Sequence, residues 1–294
     1  MRRGLIWSAA GLAAVAAAGL FVTRAVPDET DGLAALTGDV ANGEVVFIAS
    51  GCASCHAADD AEGDAKRVLT GGHRLASDFG TFVAPNISMD ATHGIGDWTL
   101  DDFATALRAG VSPDGQHYYP AFPYASYAGM TDQDVVDLWA FMQTLPADAT
   151  PSAPHDIGFP FNIRRAVGVW KTLYLNDDWV VTDVPSPELE RGRYLVEVLA
   201  HCGECHTPRD ALGGLDRAAW MAGAPNPSGR GTIPALTPDE LTWSAADVAY
   251  YLETGFTPDF DSAGGSMADV VTNFAQLSAS DRQAVAAYIK ALPR

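Results

Sequence analysis

Cys202-Gly203-Glu204-Cys205-His206 and its earlier echo Cys52-Ala53-Ser54-Cys55-His56 decide how the rest of the chain is read. Two cysteines separated by two residues, with histidine directly after the second, form the attachment pattern of c-type haem. The spacing has a chemical reason. Each thiol adds to one vinyl group of the porphyrin, and a two-residue gap sets the sulfurs at the separation of those vinyls. The adjacent imidazole then lies beneath the iron as proximal ligand. A zinc site built from cysteine pairs does not require a histidine after each pair. A thioredoxin-like pair expects a strand–helix–strand context, which neither motif has. A disulfide framework leaves both histidines without a purpose. The pattern occurs twice and uses all 4 cysteines. The reading is therefore two covalent haems on Cys52, Cys55, Cys202 and Cys205, with His56 and His206 as proximal ligands.

The 294 residues suit two units of roughly 100 residues with connections. Lys and Arg total 18 against 37 Asp and Glu, a formal charge of −19. That balance excludes a phosphate-binding face and with it nucleic acid. It fits docking to a basic partner as well as a plainly solvated acidic surface. At the amino terminus Arg2 and Arg3 precede an uncharged stretch from Gly4 to Thr23. Its length just crosses a bilayer, with the arginines left on the cytoplasmic side. A retained anchor is expected, a cleaved signal being the alternative. Either way the body of the chain is delivered to the periplasmic side of a bacterial inner membrane, where c-type haem is attached.

Working outward from the motifs, the chain reads as one plan written twice. Val45, Ile48, Ala49 and Cys52 follow a helical face, and Leu195, Val198, Leu199 and Cys202 repeat it. Thr99 and Ser244 open capping boxes after Trp98 and Trp243, and those helices stop near Gly110 and Gly255. Thr131 and Ser278 open a last helix in each copy, with Val135, Leu138, Trp139, Met142 and Leu145 inward in one and Val285, Tyr288, Ile289 and Leu292 in the other. Pro146 and Pro293 end them. Few strands are expected. Long loops from Gly71 to Gly96 and from Gly213 to Thr242 fit a fold whose core is a macrocycle. The expected organisation is all-α: an anchor or signal segment 1–25, a tether 26–38, a first unit 39–146, a connection 147–187 and a second unit 188–294. The connection is rich in Pro and aromatics (Phe159-Pro160-Phe161, Trp170, Tyr174, Trp179), so it should pack against the units rather than flex.

The sixth ligand of each iron separates a carrier from a catalyst, since Met opposite His closes the metal to substrates. Met267, in a loop before the last helix, is the choice for the second unit, and Met130, directly before its last helix, for the first. Met89 is the fallback there, and His117 would give a bis-histidine iron. Met142 and Met221 read as packing. His73, His93 and His155 read as loop hydrogen-bonding residues, and His201 as packing at the haem edge. Each proximal imidazole needs a partner for its other nitrogen, and the carbonyls of Pro85 and Pro234 are the loop candidates. Trp98 and Trp243 either reach a haem propionate or pack as core aromatics.

Further stretches carry a family resemblance: Pro85-Asn86-Ile87-Ser88, Gly94-Ile95-Gly96-Asp97-Trp98, Tyr119-Pro120-Ala121-Phe122-Pro123-Tyr124, Arg191-Gly192-Arg193-Tyr194-Leu195-Val196, His201 through Arg209, and Gly264-Gly265-Ser266-Met267. In these the chain resembles the cytochrome c subunit of membrane-bound bacterial alcohol, aldehyde and gluconate dehydrogenases. The resemblance implies tandem class I-like haem domains with His/Met iron. It also implies electron transfer from a dehydrogenase partner towards quinone, a soluble cytochrome or a terminal oxidase. It supports Met130, which matches the family's Met before a Thr/Ser-Asp helix start. Family members commonly carry three haem motifs; this chain has two. The expected function is thus a dihaem electron relay without catalytic residues of its own. A dihaem peroxidase is the enzyme alternative, and an anchoring subunit for a dehydrogenase the structural one. A thiosulfate dehydrogenase would need a fifth cysteine.

Overall fold

The computed structural model describes residues 2–227, 229 and 231–293, with side chains described from residue 7 onward except residues 9 and 10. The first helix is α1 (Arg2–Val22). Among the described residues no helix is long and apolar enough to cross a membrane, and part of the expected anchor lies outside the described side chains.

The first copy is built on α2 (Val40–Ala49) crossing α6 (Asp132–Met142). Asp39 caps α2, accepting from the N–H groups of Ala41 and Asn42. Gly43 lets the backbones meet, and Phe47 packs on Phe141 with ring centroids 5.2 Å apart and planes tilted by 52°. Buried Asp137 ties the crossing by accepting from Asp39 N–H, Asn42 Nδ2 and Gln133 Nε2, each at 2.7 Å. Between them run the motif helix α3 (Cys52–His56), α4 (Leu100–Ala104) with a π turn (Thr105–Ala109), and α5 (Tyr124–Tyr127). Past α7 (Val167–Tyr174), the second copy repeats the crossing with α8 (Pro187–Arg193) against α12 (Ala279–Lys290). Its intervening helices are α9 (Gly203–His206), α10 (Ala245–Thr254) and α11 (Ser266–Phe274). The expected inward residues of α6 and α12 are all buried. Both capping boxes form, at Thr99 with Asp102 and at Ser244 with Asp247.

Four expectations need correction. Fully buried Val46 and Phe47 lead the packing of α2, while Val45 and Ile48 are half-buried, because the α6 crossing centres on Gly43 and Phe47. The helix before the second motif is α8 followed by a π turn, Tyr194–Leu199, which turns Leu195, Val196, Val198 and Leu199 all into the core. The long loops hold short antiparallel pairs: β1 (Arg74–Ser77) with β2 (Gly80–Val83), joined by β3 (Asp156–Ile157), and β4 (Ala224–Pro225) with β5 (Thr232–Ile233). A four-residue strand carries too little hydrophobic alternation to be read from sequence. Met267 lies in the first turn of α11 rather than in a loop.

The connection packs as expected. Trp170 lies edge-on to Tyr124, Arg193 sits over the Trp179 ring, and Val180 and Val181 N–H groups donate to buried Glu197 at 2.7 and 3.1 Å. One apolar cluster runs through both copies, from Val46 and Phe141 to Leu195 and Tyr288.

Candidate haem sites

Each motif is a single helical turn that presents two thiols and an imidazole together. Gly51, in the left-handed conformation at φ 64°, turns the chain from α2 into α3. In the second copy His201 takes the corresponding bend at φ 40°. The ring of Trp220 lies where a side chain on Gly203 would have to go, with a β-carbon 2.1 Å from it, so a larger residue at this motif position requires that ring to move.

His56 Nδ1 meets the carbonyl of Pro85 at 2.8 Å, and His206 Nδ1 meets that of Pro234 at the same distance. Donation through Nδ1–H orients each ring and leaves Nε2 free with its lone pair. Burial lowers both imidazoles below their ordinary value, which keeps them neutral and able to ligate. Burial also pushes the Cys52 and Cys202 thiols up to about 12 and the Cys55 thiol to about 11. All four are unpaired. Among the described residues no group of three or more His, Cys, Asp or Glu gathers as a metal site. Two thiols and one oriented imidazole per motif are the donor set that c-type haem requires, and the residues present fit it.

Sequence reasoning missed what holds the prolyl carbonyl of the first site. Asn86 Nδ2 donates to the carbonyls of Asp148 and Thr150, each at 2.8 Å, and its Oδ1 accepts from Ser88 N–H at 2.8 Å. The only available signal was a buried-type polar residue between Pro85 and Ile87. Met130 is buried in the shared core just before the α6 cap, and Met267 and Met89 are half-buried against the same cluster. Met142 and Met221 are core residues. His117 is turned away, its Nε2 on the Thr23 carbonyl at 3.0 Å. His73 pairs with Asp59, and His155 Nδ1 accepts from Val83 N–H. Trp98 and Trp243 are half-buried against the core.

The two sites face one another across the seam between the copies. Cys205 is among the charges that raise the Cys55 thiol, after burial and Asp269. Asn273 Nδ2 of α11 donates to Ser54 Oγ of the first motif at 3.0 Å. Ser126 Oγ donates to Glu204 Oε1 of the second motif at 3.2 Å. Tyr127 stands between them: its hydroxyl donates to Ser50 O at 3.1 Å, and its ring meets that of His201 edge-on at 5.6 Å.

The sequence profile of the family described as Cytochrome c matches residues 40–146 and 189–293. A diheme cytochrome c-type protein of Cereibacter sphaeroides is 57% identical over 293 residues, covering 100% of this chain and 99% of that one. The fructose dehydrogenase cytochrome subunit of Gluconobacter japonicus is 38% identical, covering 92% of this chain and 56% of its own length. The gluconate 2-dehydrogenase cytochrome c subunit of Pantoea cypripedii is 36% identical, covering 88% and 62%. The chain thus spans little more than half the length of these two dehydrogenase subunits.

Proposed function

The chain belongs to the cytochrome c family, and on that premise we propose that it relays electrons between a dehydrogenase and a respiratory acceptor. Covalent haem, when bound, supplies the one-electron redox chemistry. The protein's own contribution is to hold, seal and connect. Cys52 and Cys55 with His56, and Cys202 and Cys205 with His206, anchor the two groups. Met130 and Met267 would supply the second protein ligand to each iron, with Met89 as the alternative in the first unit. The haem-bearing units run over 39–146 and 188–294, and residues 147–187 hold them together.

The observation that carries this reading is the facing of two equivalent thiol–imidazole turns across one continuous apolar core, with Tyr127 between them. A carrier needs its centres close, shielded and fixed. Nothing favours the peroxidase alternative, which requires an open iron. For the membrane, α1 exposes Trp7, Leu12, Val15, Leu20 and Phe21 along its length. Its end is fastened to the body: Arg165 donates to Thr23 Oγ1 and Leu20 O, and Gly168 packs on Thr23. On this reading residues 1–25 are the anchor or signal segment that brings the body to the periplasmic face of the inner membrane, and residues 26–38 are the tether. The donor is a dehydrogenase of the kind named for the relatives, and quinone, a soluble cytochrome or a terminal oxidase accepts the electrons.

Mass spectrometry of exported protein tests the cofactor: two covalently added porphyrins are expected, and a chain without them ends the proposal. A spectroscopic redox titration then tests the ligands. Met130→Ala and Met267→Ala should each remove part of the methionine–iron charge-transfer band; an unchanged band in both refutes the ligand assignment.

A further inference from the structure

The duplication carries its own template for an interface. In each copy a helix ends at a left-handed glycine, Gly110 after the π turn and Gly255 after α10. Both copies then make the same small hairpin, closed by a bridge between Val111 and His117 in one and between Phe256 and Ser262 in the other. Its last bond also repeats: Tyr118 N–H donates to Gly110 O at 2.7 Å, and Ala263 N–H to Gly255 O at 2.8 Å. Every one of these pairs is offset by 145 residues.

What covers the two hairpins differs. Over the first lies α7, whose Lys171 Nζ donates to the helix-end carbonyls of Ala109 and Gly110 at 2.5 and 2.7 Å. Lys171 Nζ also sits 4.7 Å from the centre of the Tyr124 ring, on which Trp170 packs. Val111 and His117 are in consequence only 3% and 5% exposed. The second hairpin stands open to solvent: Phe256 is 51% exposed, Tyr250 55% and Phe260 93%. Phe260 is held outward at φ 65°, a conformation bulky residues rarely adopt. With Asp247, Thr257 and Pro258, these three rings line a hollow of about 330 Å³. Asp259 and Asp261, both exposed, add to an acidic border.

We infer that this second hairpin is the docking face for the partner dehydrogenase. Its occupant is an amphipathic helix whose lysine or arginine reaches the carbonyls of Thr254 and Gly255, as Lys171 does in the first copy. The inference rests on the electron-transfer reading above. Clustered exposed aromatics are the anchors that protein interfaces use. The acidic border selects a basic partner. It also disfavours an anionic lipid surface, and a formal charge of −19 disfavours a second copy of the chain. The hairpin ends at Ser262, five residues before Met267, the ligand proposed for the second haem.

Site-specific photocrosslinking in the host membrane tests this with the full haem-loaded chain, using benzoylphenylalanine in place of Phe260 or, as control, of Leu212. Irradiation should join position 260, and not 212, to a dehydrogenase subunit at a helical peptide bearing Lys or Arg. In the isolated complex, Phe256→Ser with Phe260→Ser should slow haem reduction by fructose, gluconate or ethanol at limiting protein by about tenfold or more. Reduction by ascorbate and the haem spectra should not change. An adduct to lipid or to a second copy, equal adducts at 212, no adduct, or an undiminished rate would each overturn the docking face. If the unsubstituted chain is reduced by none of these substrates, the electron-transfer reading itself fails, and the wild-type arm reveals that separately.

Discussion

Gly43 and Gly192 stand at the two helix crossings, and replacing either with alanine tests whether those crossings set the stability of the fold. A β-carbon on Gly192 would lie 2.0 Å from Ala284 O and 2.8 Å from Tyr288 Cβ. On Gly43 it would lie 2.0 Å from Asp137 O and 2.8 Å from Phe141 Cβ. Close carbon–oxygen contacts begin near ~3.3 Å, so the helices must part by roughly 1.3 Å. The blocking atoms are backbone, and no rotamer change relieves them. Overpacking of this kind costs about 3 kcal/mol. Alanine returns about 1 kcal/mol through its higher helix propensity. The net loss is about 2 kcal/mol, or roughly 10 °C in Tm for a unit of this size. Thermal unfolding of the haem-loaded chain, followed by circular dichroism and haem absorbance, measures it. Gly158→Ala serves as control, since nothing lies within 4 Å of its β-carbon position. If Gly192→Ala and Gly43→Ala both melt within about 2 °C of that control, the crossings do not govern stability and the packing argument is wrong.

The remaining predictions concern pH, a buried carboxyl and the first haem site. His117 is held below the ordinary imidazole value by burial and then by Lys171 and Arg165. With Nε2–H on Thr23 O, its Nδ1 is bare and buried without a partner. The undocked state therefore takes the proton first, and docking of the α1 end weakens as pH falls below about 6.5. Protection factors at Thr23 and Arg24, the exchange rates corrected for the intrinsic pH dependence of amide exchange, should fall between about pH 7.5 and 5.5, and a flat profile would refute it. Tyr288→Phe removes the hydroxyl that donates to Glu197 Oε1 at 2.6 Å. The loss should be about 1–2 kcal/mol by urea titration; an unchanged midpoint would mean that the bond contributes nothing. Asn86→Ala releases the loop that presents the Pro85 carbonyl. Stability should fall by roughly 2–3 kcal/mol, and the midpoint potential of the first haem should shift while that of the second stays put. Equal shifts in both would show that Asn86 does not act through His56.

What was legible in the sequence was local chemistry. The cysteine–histidine turns, the capping boxes at Thr99 and Ser244, and the inward faces of α6 and α12 depend on residues a few positions apart, and all stand in the structure. The pairing of His56 with Pro85 and of His206 with Pro234 was open from spacing alone, because 29 and 28 residues of loop separate the partners. Tertiary structure alone decided the facing of the two motifs, the clamp by Asn86, the buried acceptor Glu197 and the covering of one hairpin but not its twin. Each of these depends on where a distant segment comes to rest. Side-chain chemistry and periodicity act over one or two turns of chain, whereas the seam between the copies forms only once their apolar faces have merged into a single core.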